Sequence, residues 1–156
     1  MALNPGAQDK ASFQALLMGF RVDRATATLP QTASTAIYNV TVGRILLLAL
    51  VGEVTTVIQT QANNTKVKAV PTVGSTVDLC AVKDITALEA GGKLVLPAAF
   101  ATALAQTNAG AAVLQPNNVV VAVGSIQLDC AASNTGSIKW SAFYIPLDEG
   151  AVLAAA

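Results

Sequence analysis

From Ala25 onward, the sequence is a succession of short runs rich in β-branched residues, and turn-forming residues separate the runs. About nine such runs at short intervals are typical of β-sandwiches and β-barrels. The apolar run 44–51 lies between Gly43 and Gly52, which favours a strand buried on both faces over a helix. The sequence therefore predicts an all-β domain over residues 25–156, either a β-sandwich or a jelly-roll-like barrel.

Two turns within this region predict hairpins. Asn63 and Asn64 separate the runs 53–61 and 66–70, and asparagine tolerates the positive φ of a tight turn. A second turn, 133–137, leads into the strand 138–145. Alternation along that strand places Trp140 and Tyr144 on one face, where they anchor the core or, alternatively, a subunit interface. The alanine-rich segment 98–112 is predicted to form a short helix or a surface loop.

The first 24 residues differ from the rest and are predicted to form an N-terminal arm. Asp9 would cap a short helix over 10–18, and Gly19 would end it. Four apolar residues would share one face of this helix and contact a neighbouring subunit, namely Phe13, Leu16, Leu17 and Phe20. A terminal helix packed on its own domain is the alternative.

Composition favours association over chemistry. The chain is 53% hydrophobic and 12% charged, and its formal net charge is zero, which removes a common protection against self-association. The scattered basic residues argue against a nucleic-acid partner. The longest apolar run, 45–51, is far shorter than the roughly 20 residues of a membrane helix. We therefore expect neither nucleic acid nor membrane as a partner.

No catalytic motif stands out. The chain contains no histidine, so the usual serine and cysteine hydrolase arrangements lack their base. A zinc site is also not expected, nor is any other metal or cofactor. Asp78 and Asp129 occur in similar contexts and would form a carboxylate pair for glycoside hydrolysis if their strands were adjacent. Solvent-facing alternation explains them equally well, and we predict that the protein is not an enzyme.

The two cysteines, Cys80 and Cys130, are expected to remain thiols, because the first residues do not resemble a signal peptide and a cytoplasm keeps thiols reduced. Alternation places Cys130 on the apolar face with Ile126 and Leu128. It places Cys80 on the face of Asp78 instead. This difference in face predicts that the two thiols do not point at each other.

Two stretches together resemble a known group of proteins. They are Val42-Gly43-Arg44-Ile45-Leu46-Leu47-Leu48, continuing to Thr56, and Gly136-Ser137-Ile138-Lys139-Trp140, followed by Tyr144-Ile145-Pro146-Leu147-Asp148-Glu149-Gly150-Ala151. The pairing resembles small virion structural proteins of tailed bacteriophages and is similar to capsid decoration or cement proteins. The resemblance covers 30–151 and does not cover the arm well.

The resemblance implies a non-enzymatic subunit, commonly a homotrimer, that binds the major capsid protein and stabilises the coat lattice. Its implied location is the outer capsid surface of a virion assembled in the host cytoplasm. A tail, neck or fibre-base component of the same particle is one alternative. A carbohydrate-binding β-sandwich is another, and it would need an exposed aromatic platform such as Trp140.

Overall fold

The structure, a computed structural model, describes residues 19–156 and contains twelve β-strands and no helix in that range. The strands, in chain order, are β1 Phe20–Thr28, β2 Ser34–Thr41, β3 Ile45–Thr56, β4 Asn64–Pro71, β5 Val77–Asp78, β6 Lys83–Asp84, β7 Lys93–Val95, β8 Ala105–Thr107, β9 Val119–Val121, β10 Gly124–Cys130, β11 Ser137–Pro146 and β12 Val152–Ala155.

The strands form two antiparallel sheets that pack against each other, which confirms the predicted β-sandwich. The first sheet has the order β1-β11-β3-β7-β8, and β9 also pairs with β3. The second sheet has the order β12-β2-β10-β4-β5, and β6 also pairs with β4. The long strand β3 lies in the middle of the first sheet, as predicted. It is not buried on both faces, however, because Leu46, Leu48 and Val51 are only half-buried.

Both predicted hairpins are wrong, because the chain crosses from one sheet to the other at each of these turns. β3 belongs to the first sheet and β4 to the second, and likewise β10 and β11 lie in different sheets. The Asn63 amide does not serve a tight turn. It donates to the Ala132 carbonyl at 3.2 Å and accepts from the Ala132 N–H at 3.2 Å. The Asn134 amide donates to the Gln61 carbonyl at 2.7 Å. These buried amides hold the two crossing segments together.

Trp140 and Tyr144 both lie in the core of this chain. Trp140 is the largest fully buried side chain of the described residues, and its cross-strand partner on β3 is Gly52. The indole fits there because Gly52 carries no side chain. In addition, the Tyr38 hydroxyl on β2 donates to the Val22 carbonyl on β1 at 3.0 Å and so connects the two sheets.

The last residues of the predicted arm, 20–24, belong to the β-sandwich instead. β1 begins at Phe20, so residues 20–24 pair in the first sheet. Phe20 lies on this strand, and its ring centroid is 5.7 Å from that of Tyr144. The predicted helix over 10–18, with Phe13, Leu16 and Leu17, lies outside the described residues. The segment 98–112 contains β8 and irregular turns instead of a helix.

Candidate interaction surface

Exposed apolar side chains are concentrated at one end of the sandwich. Twelve large apolar side chains of the described residues are exposed, and eight of them lie at this end or on the adjoining flank. We call this surface the apolar end; its residues are Phe20, Val42, Val73, Val77, Phe100, Val120, Leu147 and Val152. Exposed apolar residues concentrated in this way mark sites of interaction with other molecules.

The strand registers locate these residues together. Across the first sheet, Phe20 pairs with Tyr144, Tyr144 with Leu47, and Leu47 with Val119. The corresponding row of the second sheet joins Val40, Gly124 and Pro71. The turn from β2 to β3 connects the ends of these two rows, and Val152 pairs with Thr41 beside it. Residues distant in sequence therefore share one end of the fold.

A hollow of about 300 Å³ opens on the flank of the apolar end, between β9 and the β4–β5 turn. We call it the flank hollow. Its lining includes Pro71, Val73, Val77, Phe100 and Val120, and Ser75 contributes the one polar side chain. No charged residue lines it. A concave site with this lining suits an apolar ligand or peptide segment.

Val42, in the turn between β2 and β3, occupies an unusual backbone conformation. Its φ is 69°, and its side chain is 75% exposed. Positive φ is strained for β-branched residues, and such strain concentrates at functional sites. The chain therefore tolerates backbone strain at Val42 while the apolar side chain stays exposed to solvent. This is consistent with a role of Val42 in contact with another molecule.

The turn that carries Val42 is fixed by an ion pair. The Arg44 guanidinium donates to Asp148 through Nε at 2.9 Å and through Nη2 at 2.7 Å. The Arg44 backbone N–H also donates to Asp148 Oδ2, at 2.7 Å. These hydrogen bonds from Arg44 lower the pKa of Asp148 to about 2. The pair thus neutralises both charges next to the exposed valine.

The predicted carboxylate pair is not formed. Asp78 lies on β5 and Asp129 on β10, and β4 separates the two strands. Lys66 Nζ lies 2.7 Å from Asp78 Oδ2, and Lys68 Nζ lies 3.6 Å from Asp129 Oδ2. The condition for such a pair, adjacent strands, is therefore not met, and the two lysines of β4 stand between the carboxylates. These residues form a charged outer face of the second sheet.

Both cysteines are free thiols in the core. Cys130 shares the buried face with Ile126 and Leu128, as predicted. Cys80 does not share the exposed face of Asp78, because β5 ends at Asp78 and the alternation stops there. Burial raises the pKa of both thiols. Neither thiol is therefore poised as a nucleophile.

Within residues 19–156, no group of three or more histidine, cysteine, aspartate or glutamate side chains is arranged to hold a metal ion. No helix in the same range is long and apolar enough to span a membrane.

The carbohydrate-binding alternative depended on an exposed Trp140, but its side chain is only 2% exposed. The residues of the apolar end, apart from Phe20, were not identified from the sequence. A signal was present, because Val42, Val73 and Leu147 stand next to the Gly and Pro residues of turns, where polar side chains are usual.

Comparisons of this chain with protein-family models, with curated proteins and with solved structures find no match.

Proposed function

We propose that this chain is a non-enzymatic structural subunit of a tailed-bacteriophage virion, a decoration or cement protein that binds the coat-protein lattice through the apolar end. The observation that carries the proposal is the concentration of eight exposed apolar side chains at one end of the sandwich. Ordinary monomer surfaces scatter such residues singly. The resemblance of the 42–56 and 136–151 stretches to phage structural proteins supplies the kind of partner.

The charges of the described residues support a contact surface of this type. Lys66, Lys68, Asp78 and Asp129 pair with one another on the outer face of the second sheet. On the first sheet, Glu53 pairs with two lysines at 2.9 Å each. At the apolar end, Arg44 and Asp148 neutralise each other, and Glu149 is an exposed charge that forms no ion pair within the described residues. Binding there would therefore desolvate one unpaired carboxylate unless Glu149 lies at the rim of the contact.

The mechanism is mass action. A subunit that binds the assembled lattice and not its dissociated state stabilises the lattice in proportion to its occupancy. Several linked copies, as in a trimer, would convert weak single contacts into tight attachment. No reaction is required for this function.

The first experiment measures the copy number of this chain in purified particles relative to the major coat protein. A ratio near one, or a simple fraction of it, supports lattice-wide decoration. A small fixed number of copies would instead indicate a tail, neck or fibre-base position. Absence from the particle would contradict the proposal.

A second experiment tests the surface. The wild-type chain and the Val42→Asn variant are sedimented with expanded capsids that lack this protein. Val57→Asn serves as the matched control, because Val57 is exposed but lies outside the apolar end. We expect weaker co-sedimentation of Val42→Asn only. Equal binding by all three chains would exclude the apolar end as the contact surface.

A further inference from the structure

Glu149 is an exposed acidic residue in the turn between β11 and β12, next to Leu147 of the apolar end. We infer that the partner surface that binds the apolar end is itself apolar and carries a basic side chain, lysine or arginine, that pairs with Glu149. The inference rests on the proposed function and deepens it, because it specifies the chemistry of the partner and the residue of this chain that selects it.

The turn that carries Glu149 is held against the turn that carries Val42. The Leu147 N–H donates to the Arg44 carbonyl at 2.9 Å. A Cβ atom at Gly150 would lie 3.4 Å from Val42 Cγ1. Since Val42 is 75% exposed, a partner that covers its side chain comes close to Glu149 as well.

Glu149 is an exception among the acidic residues of this fold. Eight acidic residues fall within the described range. Only Glu149 and Glu89 have side chains that form neither an ion pair nor a hydrogen bond with other residues of that range. The remaining six accept from cations, hydroxyl groups or backbone N–H groups, namely Asp23, Glu53, Asp78, Asp84, Asp129 and Asp148.

An unpaired carboxylate in an apolar contact opposes binding, because the charge loses water and gains no partner. A basic side chain on the partner offsets this loss, speeds association and fixes the orientation of the two surfaces. Surfaces that present an acidic side chain at this position would be rejected. Because Arg44 and Asp148 neutralise each other, a single positive charge on the partner makes the contact electrostatically complementary.

The test measures co-sedimentation of full-length variants with expanded capsids that lack this protein. Glu149→Gln keeps nearly the same shape and removes the charge, whereas Glu149→Lys reverses the charge. Glu89→Gln and Glu89→Lys are the matched controls, because Glu89 is also exposed and has no ion pair within the described residues.

The control position lies far from the apolar end. The turn that carries Glu89 is bonded to β3, where the Gly91 N–H donates to the Val54 carbonyl at 2.8 Å. Leu47 of the same strand belongs to the row of paired residues at the apolar end. Val54 follows Leu47 by seven residues, a distance of roughly 20 Å along a strand. A change at Glu89 therefore tests the effect of charge elsewhere on the surface.

We expect Glu149→Gln to bind about tenfold more weakly than the wild-type chain, which is the lower end of the coupling measured for close interfacial charge pairs. Glu149→Lys should bind more weakly still, because like charges would then face each other. Both Glu89 variants should bind as the wild-type chain does. Since salt screens exposed charges, the affinity of Glu149→Gln should also depend less on salt concentration than that of the wild-type chain.

Equal binding by the wild-type chain and Glu149→Gln would overturn the inference and leave the proposed function intact, because Glu149 would then lie at the solvated rim or outside the contact. Tighter binding by Glu149→Lys would also overturn it, because the partner would then be acidic at this position. Self-association of the purified chain that is lost in Glu149→Lys would instead identify a second copy as the occupant. Failure of the wild-type chain to sediment with capsids would overturn the proposed function itself, and this inference with it.

Discussion

Gly52 on β3 and Trp140 on β11 are cross-strand partners, and the indole ring occupies the space into which a side chain at Gly52 would project. A Cβ atom at Gly52 would lie 2.8 Å from Trp140 Cζ3 and 2.9 Å from Cη2. Because Trp140 is buried in the interior, the ring has little room to move. The absence of a side chain at Gly52 is therefore a packing requirement.

Gly52→Ala should destabilise the fold by about 1–3 kcal/mol, since overpacking a core displaces side chains and backbone. Thermal unfolding should show a lower Tm for this variant. Gly110→Ala is the matched control, because a Cβ there would meet no atom within 4 Å. An unchanged Tm for Gly52→Ala would show that the Trp140 ring moves aside without cost.

Val42→Asn should increase stability by about 1 kcal/mol, because asparagine tolerates the left-handed conformation that costs a β-branched residue. The φ of 69° at Val42 is the basis of this expectation. Chemical denaturation of the variant and of Val57→Asn would measure the change. A loss of stability in Val42→Asn alone would contradict the expected relief of strain. A gain would also show that any weaker capsid binding does not result from misfolding.

The Arg44–Asp148 pair should make part of the stability depend on acid pH. The pKa of Asp148 is lowered from 3.8 to about 2 in the folded chain. The carboxylate therefore contributes its stabilisation above the unfolded pKa, and the contribution is lost as the pH falls through the range from about 4 to 2.

Asp148→Asn should remove this contribution, and its unfolding midpoint should fall less steeply than that of the wild-type chain between pH 4 and pH 2. Denaturant midpoints measured at several pH values for both proteins would test this. Other carboxylates change protonation in the same range, so the difference between the two curves is the relevant quantity. Parallel curves would contradict the role of the pair.

Cys80 and Cys130 should resist alkylation in the native state. Cys80 is fully buried, and burial raises the pKa of both thiols. The reagent therefore cannot reach the sulfur atoms, and the reactive thiolate form is scarce. Iodoacetamide labelling followed by mass spectrometry should detect modification only in denaturant. Labelling of either cysteine in the folded chain would indicate local opening of the core around it.

Local patterns predicted the strands well but not their partners. The continuous apolar run 44–51 and the alternation of 138–145 both depend on neighbouring residues in sequence, and both became central strands of the first sheet. The prediction of a hairpin at Asn63 is wrong because the side-chain amide of Asn63 bonds to Ala132. Sequence spacing does not reveal that contact. Whether Asp78 and Asp129 lie on adjacent strands was open for the same reason, since the sequence does not show that β4 lies between them.

The candidate surface could be predicted only in part. Val42, Val73 and Leu147 are apolar residues in turns, which is a local signal. Their convergence at one end depends on pairings such as Val152 with Thr41, which join distant parts of the chain. Phe100 lies in an irregular segment. In such a segment, sequence periodicity does not predict whether a side chain faces the core or the solvent.

The position of β11 has a consequence for synthesis of the chain. β1 and β3, which appear early on the ribosome, both pair with β11 near the carboxyl end. The second sheet likewise receives its edge strand, β12, from residues 152–155. Strands β1 to β3 therefore stay without these partners until about a hundred further residues have been synthesised. Non-local pairing of this kind slows folding, and the unpaired apolar strands are prone to aggregation during that interval.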